Sequence, residues 1–328
     1  MRLLRSPVRV LAVTLCLAVL AAASTLRAQD KYPAREIEFV IPWGPGGVSD
    51  IIGRIFAAEL AKTLGVPVVV VNKPGASGTL AGAYVARGRK DGHTLMMGSL
   101  GWLVGSLLLE APYDPLADFV PIMRVSATPQ SIFVKKDSAL RSLEELVEAA
   151  RRNPGRLSAG TGGVASDANF ALLILQQAAG IRFNIVPFKS GNETPVAVLG
   201  GHVDFGIGVL SAPIALVRGG SLRVLAISGA QRIAELPEVP TLKERGFSQT
   251  YLDNWNGLVA PAAIPQHVID ALTAASDKVV KSQDVIAGIE KNTSIVDAAS
   301  GAEFRTRLQN ERKIIETIAA ELNLKRSK

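Results

Sequence analysis

Thiol and imidazole groups are scarce in this chain. Its 328 residues include one cysteine, Cys16, and three histidines, His93, His202 and His267. The cysteine lies inside an apolar N-terminal run, so a chain that has lost this run has no thiol for a disulfide or for redox reactions. The histidines are far apart, and a catalytic triad or metal site would have to be assembled from distant positions. We expect no catalytic residue, no bound metal and no cofactor.

Common enzyme motifs are also missing. Walker loops, His-Glu-x-x-His and Gly-x-Ser-x-Gly do not occur. Gly160-x-Gly162-x-x-Ala165 matches the dinucleotide-binding fingerprint, but no acidic residue lies between Asp167 and Glu193 to bind a ribose hydroxyl. No motif places two carboxylates together, as a carboxylate-based hydrolase requires. The sequence favours a binding protein, with an α/β enzyme kept as an alternative.

The first residues have the pattern of a secretory signal peptide. Three arginines precede the apolar run Val10 to Ala23, which is shorter than the roughly 20 residues of a membrane-spanning helix. We expect cleavage after Ala28, or alternatively after Ser24, and a periplasmic mature protein. Residues 1–28 contain four arginines and no acid, so cleavage lowers the net charge from +7 to +3. This charge balance does not support a nucleic-acid-binding surface.

Strand and helix patterns alternate along the rest of the chain and predict an α/β fold of two doubly wound lobes. A strand at Glu36 to Ile41, a helix at Ser49 to Leu64 and a strand at Pro67 to Val71 form the first βαβ unit. The β-branched run in the second of these strands predicts burial on both faces. From Gln266 onward the pattern is helical without strands, and we expect these helices to pack back on the first lobe.

A chain that returns to its first lobe crosses between the lobes twice, and we place these crossings near Ser131 and Asn254. The signal peptide then occupies residues 1–28, the first lobe residues 29–130 and 255–328, and the second lobe residues 131–254. Further predicted strands are Thr94 to Gly98, Arg156 to Ala159, Asn184 to Pro187, Val203 to Ile207 and Arg223 to Ser228. Further predicted helices are Ser142 to Arg152, Ser166 to Ala179, Pro195 to Leu199, Ala212 to Arg218 and Ala302 to Leu322.

Two similar glycine-rich loops are the most informative motif. Gly44 to Asp50 reads Gly-Pro-Gly-Gly-Val-Ser-Asp, and Gly160 to Asp167 reads Gly-Thr-Gly-Gly-Val-Ala-Ser-Asp. Each follows a predicted strand and opens a predicted helix, where glycine allows a tight turn and the helix N-terminus favours an anion. Two lobes that each offer such a loop would form a paired anion clamp. Alternatively, the glycines only allow close packing between strand and helix.

Polar residues in and near these loops are further candidates. We expect Asp50 and Asp167 to cap their helices, with contact to a ligand amine as the alternative. The loop Lys73 to Thr79 offers hydroxyls that reach a carboxylate, or it is only a structural turn. Lys189 follows a predicted strand and is the candidate for a direct charge partner, unless it is simply solvated.

Short motifs along nearly the whole mature chain resemble those of one receptor family. They are Tyr32-Pro33 with Ile37 to Asp50, Val69 to Gly78, Asp91 to Leu95, Val186 to Lys189, Gly200 to Asp204, Leu225 to Ser228, Leu236 to Leu242 and Trp255 to Pro261. With these motifs in this order, the chain resembles the substrate-binding proteins of tripartite tricarboxylate transporters, also called Bug receptors. The resemblance implies a two-lobe Venus flytrap fold of the periplasmic binding protein type. It also implies capture of a small carboxylate in the interlobe cleft and delivery to two integral membrane subunits.

The same resemblance implies which residues contact the ligand. The predicted ligand-binding residues are Trp43, Gly44, Pro45, Gly46, Gly47, Asp50, Ser77, Gly78, Thr79, Thr161, Gly162, Gly163, Ser166, Asp167 and Lys189. Many relatives have a histidine early in the helix after the second glycine loop, where this chain has Ser166, Asp167 and Asn169. A dicarboxylate, a tricarboxylate, an aromatic acid and an amino acid therefore all stay open as ligands. We expect a monomer, and a solute sensor that feeds a membrane signalling protein is the alternative role.

Overall fold

The computed structural model describes residues 32–109, 111–229, 231–247, 253–322 and 324, and the predicted signal peptide lies outside this part of the chain. The strands are β1 (Ile37–Ile41), β2 (Val68–Asn72), β3 (Thr94–Ser99), β4 (Phe119–Thr128), β5 (Gln130–Lys135), β6 (Ser158–Thr161), β7 (Asn184–Pro187), β8 (Phe205–Val209), β9 (Leu222–Ile227), β10 (Asn254–Pro261) and β11 (Ile295–Ser300). The helices are α1 (Val48–Leu64), α2 (Thr79–Ala86), α3 (Leu100–Leu108), α4 (Leu143–Arg152), α5 (Asp167–Ala179), α6 (Glu193–Leu199), α7 (Ile214–Arg218), α8 (Gln266–Val280), α9 (Gln283–Glu290) and α10 (Gly301–Glu321). Short 3-10 turns cover Ala76–Gly78 and Lys243–Arg245.

The strands form two separate mixed sheets. The first has six strands in the order β11-β4-β10-β3-β1-β2, with β1 parallel to β2 and β3 and with β10 antiparallel to β3 and β4. The second has five strands in the order β7-β6-β8-β5-β9, with β6 parallel to β7 and β8 and with β5 antiparallel to β8 and β9. The predicted α/β fold class is confirmed.

Helices from both ends of the chain cover the first sheet. Helix α1 packs against β1 and β2, α8 packs against α1 and β4, and α10 packs against β4 and α3. The ring centroids of Trp255 and Phe304 are 5.0 Å apart, and Trp255 Nε1 donates to Glu311 Oε2 (2.7 Å). The prediction that the C-terminal helices return to the first sheet is confirmed. No helix within the described ranges has both the length and the apolar character needed to cross a bilayer.

The outer strands of the first sheet differ from the sequence-based expectations. Strand β2 is an edge strand, and Val69 is 44% exposed, so the prediction of burial on both faces is wrong. β-Branched residues favour a strand whether it lies at the edge or in the centre of a sheet, so this run does not show that a second strand pairs with β2. Strand β11 pairs with β4 at the opposite edge, although this region was predicted to be helical throughout. Its sequence Ile-Val-Asp-Ala-Ala-Ser has only two β-branched residues, which is why the pattern is weak.

The chain passes between the sheets where the sequence predicts crossings. Strand β4 ends at Thr128 in the first sheet and β5 begins at Gln130 in the second. After β9 in the second sheet, the chain is back in the first sheet at Asn254, where β10 begins. The exact boundaries of the two lobes stay a prediction.

Helix α5 ties the second sheet to the first. Its residues Phe170 and Ile174 are buried in the same apolar cluster as Trp102 and Leu103 of α3. At its other end, Gln177 Nε2 donates to the carboxylate of Glu321 in α10. Burial of large apolar side chains is the main stabilising contribution in such packing. The N-terminus of α5, which follows the second glycine loop, is therefore held close to α3.

Candidate functional site

A buried carboxylate holds the first glycine loop in place. Asp50, 3% exposed, accepts hydrogen bonds from the Gly46 N–H (2.9 Å) and from Asn72 Nδ2 (2.7 Å). The same Asn72 nitrogen donates to the Trp43 carbonyl oxygen (2.9 Å), and Arg54 Nε donates to both Asp50 oxygens (3.0 Å each). Desolvation pushes the pKa of Asp50 up, but the hydrogen bonds and the Arg54 charge outweigh it and hold that pKa below its ordinary value. These hydrogen bonds therefore hold the first glycine loop in its conformation.

The prediction that Asp50 caps helix α1 is wrong. Its carboxylate bonds the Gly46 N–H, which precedes the helix, and Gly47 at the N-cap has no side chain that caps it. Among the residues that the structure describes, the N–H groups of Val48 and Ser49 have no hydrogen-bond acceptor. Unpaired N–H groups give a helix N-terminus a partial positive charge. The start of α1 is thus left as a hydrogen-bond donor surface.

The second glycine loop is closed by its own side chains. Ser166, the N-cap of α5, accepts from the Asn169 N–H (3.1 Å) and donates to the Gly163 carbonyl oxygen (2.8 Å). Asn169 Nδ2 donates to the Val164 carbonyl oxygen (2.6 Å). These bonds fix the loop conformation, and Ser166 performs the capping that was predicted for the following aspartate.

Asp167 joins the second loop to both crossing points between the sheets. Its Oδ2 accepts from Gln130 Nε2 (2.6 Å) at the start of β5, and its carboxyl group also bonds the side chain of Asn254 at the start of β10. The N–H groups of Asp167 itself and of Ala168 also favour the charged form of this carboxyl group. Desolvation raises the pKa of Asp167 above its ordinary value despite these hydrogen bonds. Asp167 therefore bridges residues of the two sheets.

The glycine face of helix α3 brings three predicted loops together. A Cβ atom on Gly101 would lie 2.8 Å from Trp43 Cζ2 and 3.7 Å from Asp167 Oδ1. About one helical turn later, a Cβ atom on Gly105 would lie 2.6 Å from the Ser77 carbonyl oxygen. The four-residue spacing places both glycines on one side of the helix. Trp43, Asp167 and Ser77 therefore surround the same helix face, and a larger side chain there would displace them.

A row of buried polar side chains crosses the first sheet beside Trp43. Ser99, Asn256 and Ser126 lie opposite one another on β3, β10 and β4, and each is 0% exposed. Trp43 Nε1 donates to Ser99 Oγ (3.0 Å). The Ser126 hydroxyl and both polar atoms of the Asn256 amide have no hydrogen-bond partner within the described part of the chain. Unpaired buried polar groups destabilise a fold, so this row beside the loops indicates a functional region.

The third loop has an unusual backbone. Ala76 and Ser77 have φ values of 45° and 50°, a left-handed conformation that costs a non-glycine residue about 1–3 kcal/mol. Thr79 Oγ1 donates to the Ala76 carbonyl oxygen (2.9 Å), so this predicted ligand contact is engaged inside the loop. Lys73 Nζ lies 3.9 Å from the centroid of the Tyr84 ring. Of this loop, the Ser77 backbone makes the close approach to α3.

Lys189 lies in the loop that follows β7. It is exposed, and its N–H donates to Glu193 Oε2 (3.4 Å). The following loop nevertheless touches the second glycine loop, because a Cβ atom on Gly162 would lie 2.9 Å from the Gly191 nitrogen. The absence of a side chain at Gly162 is what permits this approach. The structure thus brings the loop that contains Lys189 next to the second glycine loop.

Several residues of the site were not found from the sequence. Gln130 and Asn254 bond Asp167 at the two crossings, Asn256 lies in the polar row, and Gly101 with Gly105 forms the meeting face. The sequence signals that could have identified these residues are the amide side chains at the predicted crossing points and the Gly-x-x-x-Gly spacing. Both patterns are common in proteins, so neither is specific without the contacts around it.

Sequence comparisons connect this geometry to known proteins. The family model described as tripartite tricarboxylate transporter family receptor matches residues 52–324. The chain belongs to this receptor family. A protein encoded in the tcbD-tcbE intergenic region of Pseudomonas sp. strain P51 is 30% identical over 308 residues, which cover 91% of each chain. Protein BugT of Bordetella pertussis is 31% identical over 281 residues, 85% of this chain and 86% of BugT.

Solved structures show the same architecture in related receptors. A periplasmic transporter matches with a TM-score of 0.80 and 27% identity, covering 90% of this chain and 99% of its own. MatC from Rhodopseudomonas palustris, solved with bound malate, matches at 0.78 and 27%, with coverage of 88% and 99%. Another R. palustris protein, solved with adipate, matches at 0.78 and 25%, with coverage of 88% and 97%. The predicted two-lobe fold is confirmed, and the family and fold are those of periplasmic solute-binding receptors rather than enzymes.

Proposed function

We propose that the mature chain captures one small carboxylate between its two glycine loops and delivers it to a membrane transporter. The observation that carries this proposal is the meeting of the first and second loops at the glycine face of α3, where Trp43 and Asp167 both lie close to Gly101. Both loops open helices whose N-termini favour negative charge. Two related structures contain malate and adipate, which supports a carboxylate as the ligand class.

Backbone N–H groups supply enough binding free energy for this function. A hydrogen bond to a charged group contributes roughly 1.5–3 kcal/mol, and micromolar affinity corresponds to about 8 kcal/mol. Four or five well-placed N–H groups therefore suffice without a ligand-binding arginine. The contacts that we propose are the loop residues Trp43 to Gly47, Ser77 to Thr79 and Thr161 to Gly163, with Ser166, Asp167, Asp50 and Lys189 in supporting positions.

Binding is expected to couple to closure of the two lobes about the crossings at Gln130 and Asn254. Each loop belongs to a different sheet, so a ligand that touches both stabilises the closed arrangement. Closure then offers both lobes together to a transporter of two integral membrane subunits. Delivery to a membrane sensor is the second candidate, and reconstitution with each membrane partner separates the two roles.

Export is part of the same proposal. Residues 1–28 act as the signal peptide, cleavage follows Ala28, and the mature monomer works in the periplasm. N-terminal sequencing of protein from the periplasmic fraction tests the cleavage site. A mature chain that still begins at Met1 would contradict export by this route.

Calorimetric titration of the mature protein with dicarboxylates, tricarboxylates, aromatic acids and amino acids tests the ligand class. We expect at least one compound to bind at micromolar concentration. Val48→Pro removes one unpaired N–H at the first position of α1, where proline is compatible with a helix. This variant should bind about 10- to 100-fold more weakly, the loss of one charge-assisted hydrogen bond.

Gln283→Pro is the matched control, since it also stands at the first position of a helix, α9, after an extended serine. It should bind like the wild type. Equal affinities for both proline variants would contradict the role of the α1 N-terminus, and failure of every acid in the panel to bind would contradict the proposed ligand class.

A further inference from the structure

The region around Asp167 contains hydrogen-bond acceptors without donors. Gln130, Asn169 and Asn254 are 2%, 7% and 8% exposed, so all three amides are more than nine-tenths buried. The oxygens Gln130 Oε1, Asn169 Oδ1 and Asn254 Oδ1 have no hydrogen-bond partner among the described residues. Buried carbonyl oxygens without a donor are costly in free energy.

The orientation of these amides is fixed by the groups that their nitrogens contact. Gln130 Nε2 donates to Asp167 Oδ2 (2.6 Å), and the Asn254 side chain bonds the same carboxyl group. Asn169 Nδ2 donates to the Val164 carbonyl oxygen (2.6 Å). Turning any of these amides over would place oxygen against oxygen, which is repulsive. The three oxygens therefore stay available as acceptors.

The aspartate of the first loop has a cationic partner, whereas the aspartate of the second loop has none among the described residues. Asp50 in the first loop is paired with Arg54 at 3.0 Å. No lysine or arginine within the described ranges forms an ion pair with Asp167. Each helix N-terminus contributes only about half a positive charge, so the two helix starts together about balance one unpaired carboxylate. Such a site favours a ligand whose own charges nearly cancel over one with two or three negative charges.

We infer that the ligand carries a primary ammonium group beside its carboxylate, so that it is an amino acid and not a simple dicarboxylate or tricarboxylate. The carboxylate binds the N–H groups at the start of α1. The ammonium group donates to the amide oxygens around Asp167 and faces the carboxylate of Asp167 itself. This inference rests on the proposed carboxylate-binding function and names its ligand class.

Matched pairs of acids with and without the amino group test this inference in the full mature protein. L-Glutamate is compared with glutarate, L-aspartate with succinate, and L-leucine with 4-methylpentanoate by calorimetric titration. We expect the amino acid of at least one pair to bind at least tenfold more tightly than its deaminated partner. If the deaminated acid binds equally or better in every pair that binds, the inference is overturned and the carboxylate receptor stands. If no acid of any class binds, both are overturned.

Variants identify the residues responsible. Asp167→Asn should reduce the preference for the amino acid at least tenfold while the deaminated acid still binds. Gln130→Met, which keeps the side-chain length, should reduce the same preference if the asparagine variant does not fold. Asp137→Asn removes an acid whose side chain is 74% exposed and should leave the preference unchanged. An unchanged preference in folded Asp167→Asn and Gln130→Met proteins would overturn the assignment.

Discussion

Replacing Asp50 with asparagine separates the charge of this residue from its shape. The carboxylate accepts from the Gly46 N–H and Asn72 Nδ2, and asparagine of the same size offers one neutral oxygen instead. The two bonds go to different carboxylate oxygens, so asparagine keeps at most one of them and turns its NH2 group toward the other donor. The loss of one bond and of the charge assistance in the other lowers the free energy of unfolding by about 2 kcal/mol. The pair with Arg54 adds little to this free energy, because the Arg54 side chain is 49% exposed and solvent screens the charge.

The pH dependence of this loss has a definite sign. The hydrogen bonds and the Arg54 charge, acting against desolvation, hold the pKa of Asp50 below its ordinary value of 3.8. A group with a lowered folded-state pKa stabilises the protein above its unfolded pKa and loses this effect as the pH falls through the folded pKa. The difference between wild type and Asp50→Asn should therefore be full from neutral pH to about pH 5 and shrink below pH 4.

Unfolding followed by far-UV circular dichroism measures this difference. At pH 7 we expect Asp50→Asn to melt about 4 °C lower than the wild type, since 1 kcal/mol corresponds to roughly 2–4 °C in a protein of this size. Asp137→Asn, at an exposed position, should melt like the wild type. Equal stability of Asp50→Asn and wild type at pH 7, or a gap that persists unchanged at pH 3, would refute the charge-based account.

Further substitutions test the site and the core. Gly101→Ala should weaken ligand binding about tenfold, because its Cβ would lie 2.8 Å from the Trp43 ring, whereas Gly288→Ala in α9 meets only a flexible side chain and should bind normally by calorimetry. Trp43→Phe should also lower affinity, since it removes the hydrogen bond to the serine that ends β3. In urea unfolding, Glu311→Ala should lower the free energy of unfolding by about 3 kcal/mol, because it breaks a buried ion pair with Arg307. Glu316→Ala, at an exposed position, should lower it by less than about 1 kcal/mol.

Local patterns predicted most elements of the fold. The helix at Val48–Leu64 and the strand at Thr94–Ser99 lie within one residue of the predicted bounds, because their apolar periodicity is strong and glycine or polar residues mark their ends. The edge strands were harder to predict. Val68–Asn72 is as β-branched as a central strand, and Ile295–Ser300 pairs through its backbone despite a weak side-chain pattern. Strand order depends on long-range pairing that no local pattern contains.

The candidate site was predictable in its loops but not in its contacts. Glycine spacing locates Gly44 to Gly47 and Gly160 to Gly163, because a tight turn before a helix requires small residues. Nothing in the sequence shows that Asp50 bonds backward to Gly46 or that Asp167 bonds to amides far away in the chain. These partners are set by tertiary packing of α1, α3 and α5.

The two aspartates of the paired loops differ in the groups that donate hydrogen bonds to them. Asp50 has a cation, a loop N–H and an amide nitrogen as donors, so its charge is satisfied within one lobe and serves to hold the loop. Asp167 has amide and backbone donors only, from both sheets, and burial raises its pKa. A bound ammonium group would supply the missing cation and strengthen the contacts of Asp167 with both crossings. The same carboxylate would thereby couple recognition of the ligand to closure of the two lobes.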